Sequence, residues 1–269
     1  MKNNYKSSIL NFVRSLGLPI VGIAGDGTTY SKIVCLFPYF TGNKNMGNLS
    51  MYTYGLDYHK ITEKYLTQIE NFIRINYPFV NTKVHVDIGE GDDKKAAYLA
   101  GLGFFGKNSL LINPTYGSFV FIGYVETDLI LTPDTPLEET CLACGKCMKA
   151  CPGGAIQNGK IDVTKCASSL SQKKGELSEE ETAILKRSGL IWGCDICQTV
   201  CPHNKEVPLS PMQEFYENLI FSLSTLPETN KEFHTLYGDR AFTWRGKAVL
   251  KRNLEILSTH ERKSGGHTM

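Results

Sequence analysis

The sequence predicts a mixed α+β and α/β fold in three parts: an N-terminal α/β layer, a cysteine-rich module and a helical C-terminal segment. Segments of helical and strand periodicity alternate over about the first 130 residues. Eight of the nine cysteines lie between Cys141 and Cys201. The hydrophobic fraction of 42% and the charged fraction of 21% are typical of a chain that buries a core. We therefore expect three units, at residues 1–131, 132–208 and 209–269.

The first unit is expected to alternate helices and strands. The predicted elements are a helix over 5–16, strands over 19–24 and 32–37, a helix over 58–75, a strand over 82–87, a helix over 92–103 and a strand over 117–129. The turn-forming letters GDGTT separate the first two strands, and acidic residues open the third helix while glycine closes it. The last strand is too apolar to alternate cleanly, which indicates a central position in the sheet.

The remaining chain changes character twice. The proline-rich and acidic letters TPDTPLEET at 132–140 predict a linker before the cysteines. After Pro208 the periodicity becomes helical, first in MQEFYENLIFSL and then in FTWRGKAVLKRNLEIL. Basic residues are concentrated in that second segment, between Arg240 and Arg252.

Net charge and hydropathy restrict the partners and the cellular compartment that we expect for the chain. The formal net charge of +2 provides no global attraction for nucleic acid, so any such site has to be a local patch. The N-terminal segment is interrupted by Arg14 and lacks the cleavage pattern of a signal peptide. No apolar run approaches the roughly 18 to 20 residues of a membrane helix. We expect a cytoplasmic protein without membrane attachment, in which cysteines serve metal binding.

The cysteines form two runs that each end in proline. The first run has the spacing C-x2-C-x2-C-x3-C-P and the second C-x2-C-x3-C-P, with one cysteine between them; the members are Cys141, Cys144, Cys147 and Cys151, then Cys166, then Cys194, Cys197 and Cys201. The first spacing is that of bacterial ferredoxins with two [4Fe–4S] clusters, in which the fourth cysteine of a run ligates the other cluster.

This crossing rule predicts two ligand sets. Cluster one would take Cys141, Cys144, Cys147 and Cys201, and cluster two would take Cys151, Cys166, Cys194 and Cys197. The isolated Cys166 departs from a compact ferredoxin and places an insertion of about 27 residues beside cluster two. A pair of zinc sites is the alternative, because C-x2-C pairs also suit tetrahedral zinc, but the full spacing favours iron–sulfur. Cys35, within an apolar strand, is expected to be a buried small hydrophobe.

Four further segments of the chain resemble those of a known protein family. They are SMYTYGLDYHK at 50–60, HVDIGEGDDKKAAYLAGLGFFGKNSLL at 85–111, GSFVFIG at 117–123 and GCDICQTVCPHNK at 193–205. With the cysteines, these segments resemble the epoxyqueuosine reductase family over roughly residues 50 to 206. The resemblance implies an N-terminal cobalamin-binding domain, two [4Fe–4S] clusters and a base-off corrinoid between the clusters and the α/β layer. It also implies reduction of the epoxide of epoxyqueuosine in tRNA to the alkene of queuosine.

The resemblance assigns roles to individual residues. Asp87, at the end of a strand, matches the family's proton donor, and burial against the corrinoid would raise its pKa. Further residues match family positions near the corrinoid or cluster two, and Asp57 and Tyr58 are among them. The others are Tyr52, Tyr54, His59, Gly106, Lys107, Asn108, Ser109, Ser118, Ser168 and Asp195. Taken without the resemblance, Asp87 is better interpreted as a cap of the next helix, and His59 as a structural histidine. A hydrogen-bonding role is an equal alternative for Asp195.

The sequence departs from the family pattern in three places. Ile88, Gly89 and Glu90 replace the residues that usually follow the acid. Residues 25–31 form a short turn where the family usually carries a longer helical insertion, and no helical-repeat domain follows. Both missing parts help to hold tRNA in the family. The basic stretch from Arg240 to Arg252 could partly substitute for them, or could be a solvated helix face.

Three functions remain open from the sequence. The first is an epoxyqueuosine reductase that acts, as a monomer, on tRNA carrying epoxyqueuosine and receives electrons from an external donor such as flavodoxin or ferredoxin. The second is a two-cluster electron-transfer protein without corrinoid. The third is a related corrinoid reductase, resembling reductive dehalogenases, with a small-molecule substrate. Asp87 and the loop 106–109 favour an enzyme, whereas the missing tRNA-holding parts favour the third function over the first.

Overall fold

The computed structural model describes residues 2–87, 92–157 and 159–264 of the chain. Its larger helices and strands in the first half are α1 (Lys2–Ser15), β1 (Val21–Gly25), β2 (Ser31–Pro38), α2 (Tyr58–Asn76), β3 (Thr82–Val86), α3 (Asp93–Leu99), β4 (Phe104–Phe105), β5 (Leu111–Ile112) and β6 (Val120–Thr127). Each predicted element of this half is therefore found, with boundaries that differ by a few residues. Residues 88–90, where the sequence departs from the family pattern, lie outside the described residues.

A four-stranded sheet in the order β1-β2-β6-β3 forms the centre of this layer. All of its neighbouring strands are antiparallel. The predicted central position of the last strand is confirmed, since β6 lies between β2 and β3. The chain reverses between β1 and β2 over a turn in which the Asp26 carboxylate accepts hydrogen bonds from the backbone of Thr28 and Thr29.

The two faces of the sheet are covered by different helices. Along β2, Ile33, Cys35 and Phe37 belong to the large core with α1 and α2. Their neighbours Val34 and Leu36 point to the opposite face, where they meet the alanines of α3. Because both faces are covered, every position from Ile33 to Phe37 is apolar, which explains the uninterrupted hydrophobic run of β2. Cys35 is fully buried, as predicted, and burial raises the pKa of its thiol.

Short elements carry the cysteines, and longer helices follow. They are α4 (Lys146–Ala150), β7 (Ile156–Gln157), β8 (Lys160–Ile161), α5 (Ala167–Ser171), α6 (Glu179–Ser188), α7 (Ile196–Thr199), α8 (Asn230–Tyr237) and α9 (Lys247–Ser264). The insertion after Cys166 folds as α5 and α6, which pack against each other and against α9. The C-terminal segment joins the large core, to which it contributes Phe215, Phe233 and Leu250.

The prediction of a helix directly after Pro208 is wrong. Only Gln213–Tyr216 forms a 3-10 turn. The next residues bond to another segment instead: the backbone N–H of Ile220 donates to the Tyr54 carbonyl at 2.9 Å, and the Leu49 N–H donates to the Phe221 carbonyl at 3.1 Å. This long-range pairing outweighs the local helical pattern.

The second C-terminal helix begins later than predicted. Residues 241–243 form a 3-10 turn, Gly246 has a φ of +86°, and the regular helix starts at Lys247. A left-handed backbone angle at Gly246 is incompatible with a continuous helix. The consequence is a tight turn that holds Trp244 and Arg245 outside any helix.

Candidate functional site

Asp87 follows β3 at the mouth of a cleft. Its φ is +52°, a left-handed value that non-glycine residues rarely adopt outside turns and functional sites. Its side chain is 60% exposed. The Tyr58 hydroxyl donates a hydrogen bond to Asp87 Oδ2, and His59 Nε2 lies 3.5 Å from the same oxygen. The first turn of α2 therefore holds the carboxylate that the sequence singled out.

Asp57 orients His59 from the other side of the ring. As the N-cap of α2, Asp57 accepts a hydrogen bond from the His59 backbone N–H at 3.1 Å, and its Oδ1 lies 2.8 Å from His59 Nδ1. The hydrogen bond to Asp57, followed by the one to Asp87, raises the pKa of His59 to about 9. His59 is therefore an imidazolium at neutral pH, between two carboxylates.

The pKa of Asp87 shifts opposite to the expected direction. The hydrogen bond from His59, with a smaller contribution from Tyr58, lowers the pKa of Asp87 despite partial burial. The expectation of a raised pKa considered an apolar corrinoid face and left out the His59 cation that α2 supplies. Within this network the proton resides on His59 and the negative charge on Asp87.

The cleft in front of Asp87 extends toward the cysteines. Its volume is about 710 Å³, and its lining consists of Tyr52, Tyr58, His59, Asp87, Gln172, Ala241 and Trp244. Gln172 also lines a second cavity of about 590 Å³ that reaches Cys166, Ser168 and Arg245. Gln172 therefore forms a common wall between the cavity at the Asp87 carboxylate and the cavity at a cysteine of the second predicted ligand set.

Tyr52 and Ser168 lie in these cavities, as predicted, but Tyr54 does not. Tyr54 is 2% exposed and packs edge-on against Phe221, while the Met46 N–H donates to its hydroxyl at 3.3 Å. Placing Tyr54 in the cleft was therefore wrong. Residues 51–53 form a 3-10 turn, so the side chains of Tyr52 and Tyr54 point in different directions.

Asp195 is buried between two cysteines and joins their loop to the α/β layer. Its carboxylate accepts hydrogen bonds from Ser50 Oγ and from the Met51 backbone N–H, both at 2.7 Å. Burial raises the pKa of Asp195 to about 6. The hydrogen-bonding alternative describes what this side chain does, because it anchors the turn that carries Tyr52.

Ser118 belongs to a second buried polar network. Its hydroxyl donates to Gln198 Oε1 at 2.9 Å and accepts from Asn204 Nδ2 at 2.8 Å, and its N–H donates to Asn204 Oδ1 at 2.8 Å. Gln198 and Asn204 flank the last cysteine of the second run. Ser118 therefore fastens β6 to the cysteine module and does not face the cleft.

The loop 106–109 lies beside the first cysteine group. It connects β4 and β5, and it borders a small space lined also by Cys141, Cys144, Cys147 and Cys201. Asn108 is buried beside Gly106, where a Cβ would come within 2.3 Å of the Asn108 carboxamide oxygen. The loop also lines a cavity of about 510 Å³ through Gly106, Lys107 and Ser109. Asp92 and Lys94 border this cavity and also a cavity at Asp87, so a position near the corrinoid stays a prediction for the loop.

The cysteines fall into two groups of four. Cys141, Cys144, Cys147 and Cys201 line one space. Burial raises the pKa of Cys197, and the charges of Cys194, Cys166 and Cys151 raise it further. Each group draws ligands from both runs. Among the residues that the structure describes, no three His, Cys, Asp or Glu side chains are close enough to hold a single metal ion.

Three residues of the site had no sequence signal strong enough to single them out. Gln172 links the two cavities from the end of α5, and Asn204 and Gln198 hold the cysteine module. A glutamine or asparagine in a loop carries no spacing pattern. Trp244 could have been found from the sequence. It stands beside an arginine and a glycine, and this combination is unusual on the surface of a helix.

Comparison with protein families gives two matches. Residues 28–88 match the family described as epoxyqueuosine reductase QueG, DUF1730, and residues 140–204 match a 4Fe-4S double cluster binding domain. An epoxyqueuosine reductase of Leadbetterella byssophila is 36% identical over 240 residues, which are 87% of this chain and 78% of the relative. The chain belongs to the epoxyqueuosine reductase family. It carries the double iron–sulfur cluster domain of that family.

Other members of the family extend the comparison. An epoxyqueuosine reductase of Bacillus anthracis is 38% identical over 215 residues, 77% of this chain, and the chain spans little more than half (56%) of that relative. A solved epoxyqueuosine reductase with an epoxyqueuosine-modified tRNA stem loop has a TM-score of 0.84 and 27% identity, over 97% of this chain and 83% of the other. A reductive dehalogenase at 17% identity and a TM-score of 0.53 shares the fold.

The described helices were also examined for membrane spans. None combines the length and the apolar character that crossing a bilayer requires.

Proposed function

We propose that this chain reduces epoxyqueuosine to queuosine in tRNA, with a base-off corrinoid and two [4Fe–4S] clusters as cofactors. The observation that carries the proposal is a pair of adjoining cavities that share Gln172 and have Asp87 at one end and Cys166 at the other. One end has an acid with a charged proton source, and the other end has a thiol of the second cysteine group. A two-cluster electron carrier would need neither the cleft nor the polar network around Asp87.

The two cysteine groups support the predicted ligand sets. Cluster one would be held by Cys141, Cys144, Cys147 and Cys201, and cluster two by Cys151, Cys166, Cys194 and Cys197. Four thiols per group are the donor set of a [4Fe–4S] cluster. Cluster one lies nearer the surface, with Cys144 exposed, so an external donor such as flavodoxin or ferredoxin would deliver electrons there.

The residues around the cleft fit a corrinoid. Tyr52 and Tyr58 provide aromatic rings that meet edge to face, and Gln172 and Ser168 would provide amide and hydroxyl groups toward the periphery of the corrinoid. Asp195 would act indirectly, by fixing the turn of Tyr52. When bound, the corrinoid supplies the low-potential electrons that open the epoxide.

The reaction also consumes protons. Conversion of an epoxide to an alkene takes up two electrons and two protons, and the oxygen leaves as water. His59 would pass its proton to Asp87 across their contact, Asp87 would deliver it to the departing oxygen, and the second proton would come from solvent. A carboxyl with a lowered pKa is a poor proton store, so the imidazolium of His59 with its pKa of about 9 is the reservoir.

The three predicted units have separate tasks in this proposal. Residues 1–131 supply the Asp87 wall, residues 132–208 hold the clusters, and residues 209–269 complete the cleft rim with Ala241 and Trp244. The substrate is tRNA that already carries epoxyqueuosine, and a monomer contains every residue named.

Nucleoside analysis tests the function. The reduced full-length chain, loaded with iron, sulfide and corrinoid, is incubated with epoxyqueuosine-containing tRNA, and the digested tRNA is examined by mass spectrometry. Queuosine is expected in amounts that grow with time and enzyme. If epoxyqueuosine stays intact while both clusters undergo reduction, the proposal is wrong and an electron-transfer or small-molecule function takes its place.

A further inference from the structure

The basic stretch between Arg240 and Arg252 is mostly engaged inside the protein. Arg240 is buried and donates to the Tyr54 carbonyl at 3.3 Å. Lys247 donates to the Pro227 carbonyl at 3.0 Å, and Arg252 donates to the Lys173 carbonyl at 2.6 Å. These cations satisfy backbone carbonyls, so they are neither a solvated helix face nor an open surface for phosphates.

Arg245 differs from these neighbours. Its guanidinium lies over the Trp244 ring, 3.7 Å from the ring centroid. Its Nε is buried without a hydrogen-bond partner, and among the described residues no carboxylate forms an ion pair with it. The nearby Glu181 is already paired with Lys173 at 2.6 Å. Arg245 therefore retains its charge and its donors for a ligand.

Trp244 is exposed at the rim of the catalytic cleft. It is 61% exposed, although tryptophan has the largest apolar surface of any side chain, and it lines the same cleft as Asp87 and His59. The ring is held by its turn: the Thr243 N–H donates to the Arg240 carbonyl at 3.1 Å and the Gly246 N–H donates to the Thr243 carbonyl at 2.8 Å. An exposed ring with a fixed orientation loses little conformational entropy on binding.

We infer that Trp244 and Arg245 form a stacking site for a nucleobase of the tRNA anticodon loop, next to the base that enters the cleft. The inference rests on the proposed function for the identity of the RNA. Single-stranded loops are recognised by bases stacked on aromatic rings and arginine planes, and Arg245 adds a charge toward the adjoining phosphate. The net charge of +2 provides no global attraction for nucleic acid, so a local cation is needed, and Arg245 supplies it.

Binding of an anticodon stem-loop RNA to the full-length chain tests the site. The probe is a fluorescent 17-nucleotide stem-loop with guanine at the wobble position, and the readout is anisotropy. Trp244→Ala is expected to weaken binding by about tenfold or more, the loss that removal of one stacked base produces, while Trp244→Phe retains most of the affinity. Arg245→Ala should weaken binding and reduce the salt dependence by about one phosphate contact.

Two control variants match these changes. Phe79→Ala removes a fully exposed aromatic side chain that lies on none of the cavities described above, and Lys251→Ala removes an exposed cation from α9. Both should bind RNA like the wild type. Equal affinity of Trp244→Ala and Phe79→Ala would overturn the inference, as would failure of the wild type to bind the stem-loop. Weakened corrinoid binding with unchanged RNA affinity would also overturn it and assign Trp244 to the cofactor.

The proposed function can fail separately from this site. If Trp244-dependent RNA binding is found but no queuosine forms, the stacking site stands and the reductase function falls. If queuosine forms equally well with wild type and Trp244→Ala at limiting tRNA, the function stands and the stacking site falls.

Discussion

His59, which lies between Asp57 and Asp87, holds the proton that these three side chains share. Both carboxylates stabilise the imidazolium, so His59 carries the proton and Asp87 is its outlet to the cleft. This arrangement separates storage of the proton from its delivery. The carboxylate can therefore remain a good acceptor for the hydroxyl of Tyr58 between turnovers.

Replacing Asp87 by Asn should lower turnover about 100-fold to 10,000-fold, because an amide cannot release a proton. The amide keeps an acceptor for Tyr58, so iron content and corrinoid absorbance should match the wild type. Product formation is followed by nucleoside analysis. Asp128→Asn, which alters a carboxylate bonded to Asn81 away from the cleft, is the control. Unchanged turnover in Asp87→Asn would remove the residue from its role.

His59 should titrate near pH 9, well above its ordinary pKa of 6.5. A raised folded-state pKa stabilises the fold fully below pH 6.5, and this contribution is lost as the pH rises through about 9. Asp57→Asn should move the midpoint down toward 6.5, whereas Asp128→Asn should leave it unchanged. Histidine ring signals in NMR spectra across pH 5 to 10 measure the midpoint. A midpoint near 6.5 in the wild type would contradict the network.

At the scale of elements, Gly193 is the residue at which the loop of Cys194 packs against the turn of Tyr52 in the cleft. Gly193 precedes Cys194 with a φ of +71°, and a Cβ there would lie 2.4 Å from Ser50 Cβ and 2.8 Å from the Tyr52 ring. Ser50 in turn bonds to Asp195. The turn of Tyr52 and the loop of Cys194 are therefore packed without any space between them.

Gly193→Ala should displace this loop and lower iron content from about eight toward about four per chain, because the ligands of cluster two move. Gly189→Ala is the matched control: its φ is +69° and its Cβ would meet nothing within 4 Å. Both variants carry the strain of a left-handed alanine, about 1 kcal/mol, but only the first has the clash. Equal iron content and equal melting temperatures in the two variants would show that the contact is unimportant.

Periodicity predicted the elements whose packing is local to the α/β layer. Strand β2 and helix α2 were found because each has apolar residues at the spacing of its own structure. The region after Pro208 was not, because Ile220 and Phe221 bond to residues 49–54, a partner that no local pattern reveals. Helices α6 and α8 had a readable signal in their capping boxes, Ser178 with Glu181 and Thr229 with Glu232.

The sequence predicted those residues of the candidate site whose spacing is local to one layer. Asp87 and His59 follow motifs of fixed spacing within one layer, and the structure brings them together. Tyr54 was misplaced, since its position depends on how the C-terminal segment packs against that layer. The position of the loop 106–109 near the corrinoid stays a prediction. Trp244 belongs to a turn whose geometry comes from Gly246.

At the scale of the whole molecule, each proposed cluster would take ligands from both cysteine runs. Pairs of substitutions test this exchange. Cys141→Ser with Cys201→Ser should remove ligands of one cluster, so the double variant should keep about four irons, like each single variant. Cys141→Ser with Cys151→Ser, both from the first run, should damage both clusters. Iron analysis and the EPR spectra of the reduced protein distinguish the outcomes, and the opposite pattern would mean that each run holds its own cluster.

The exchange of ligands has a consequence for exposure to oxygen. The proposed cluster one has an exposed cysteine, Cys144, and would share the Cys194–Cys201 segment with cluster two, whose cysteines are half-buried. Damage that releases Cys201 frees the same short helix that carries Cys197, and with it the Asp195 anchor of the cleft. We expect inactivation by air to proceed as one event, with both clusters and the corrinoid site lost together, rather than as a stepwise decline.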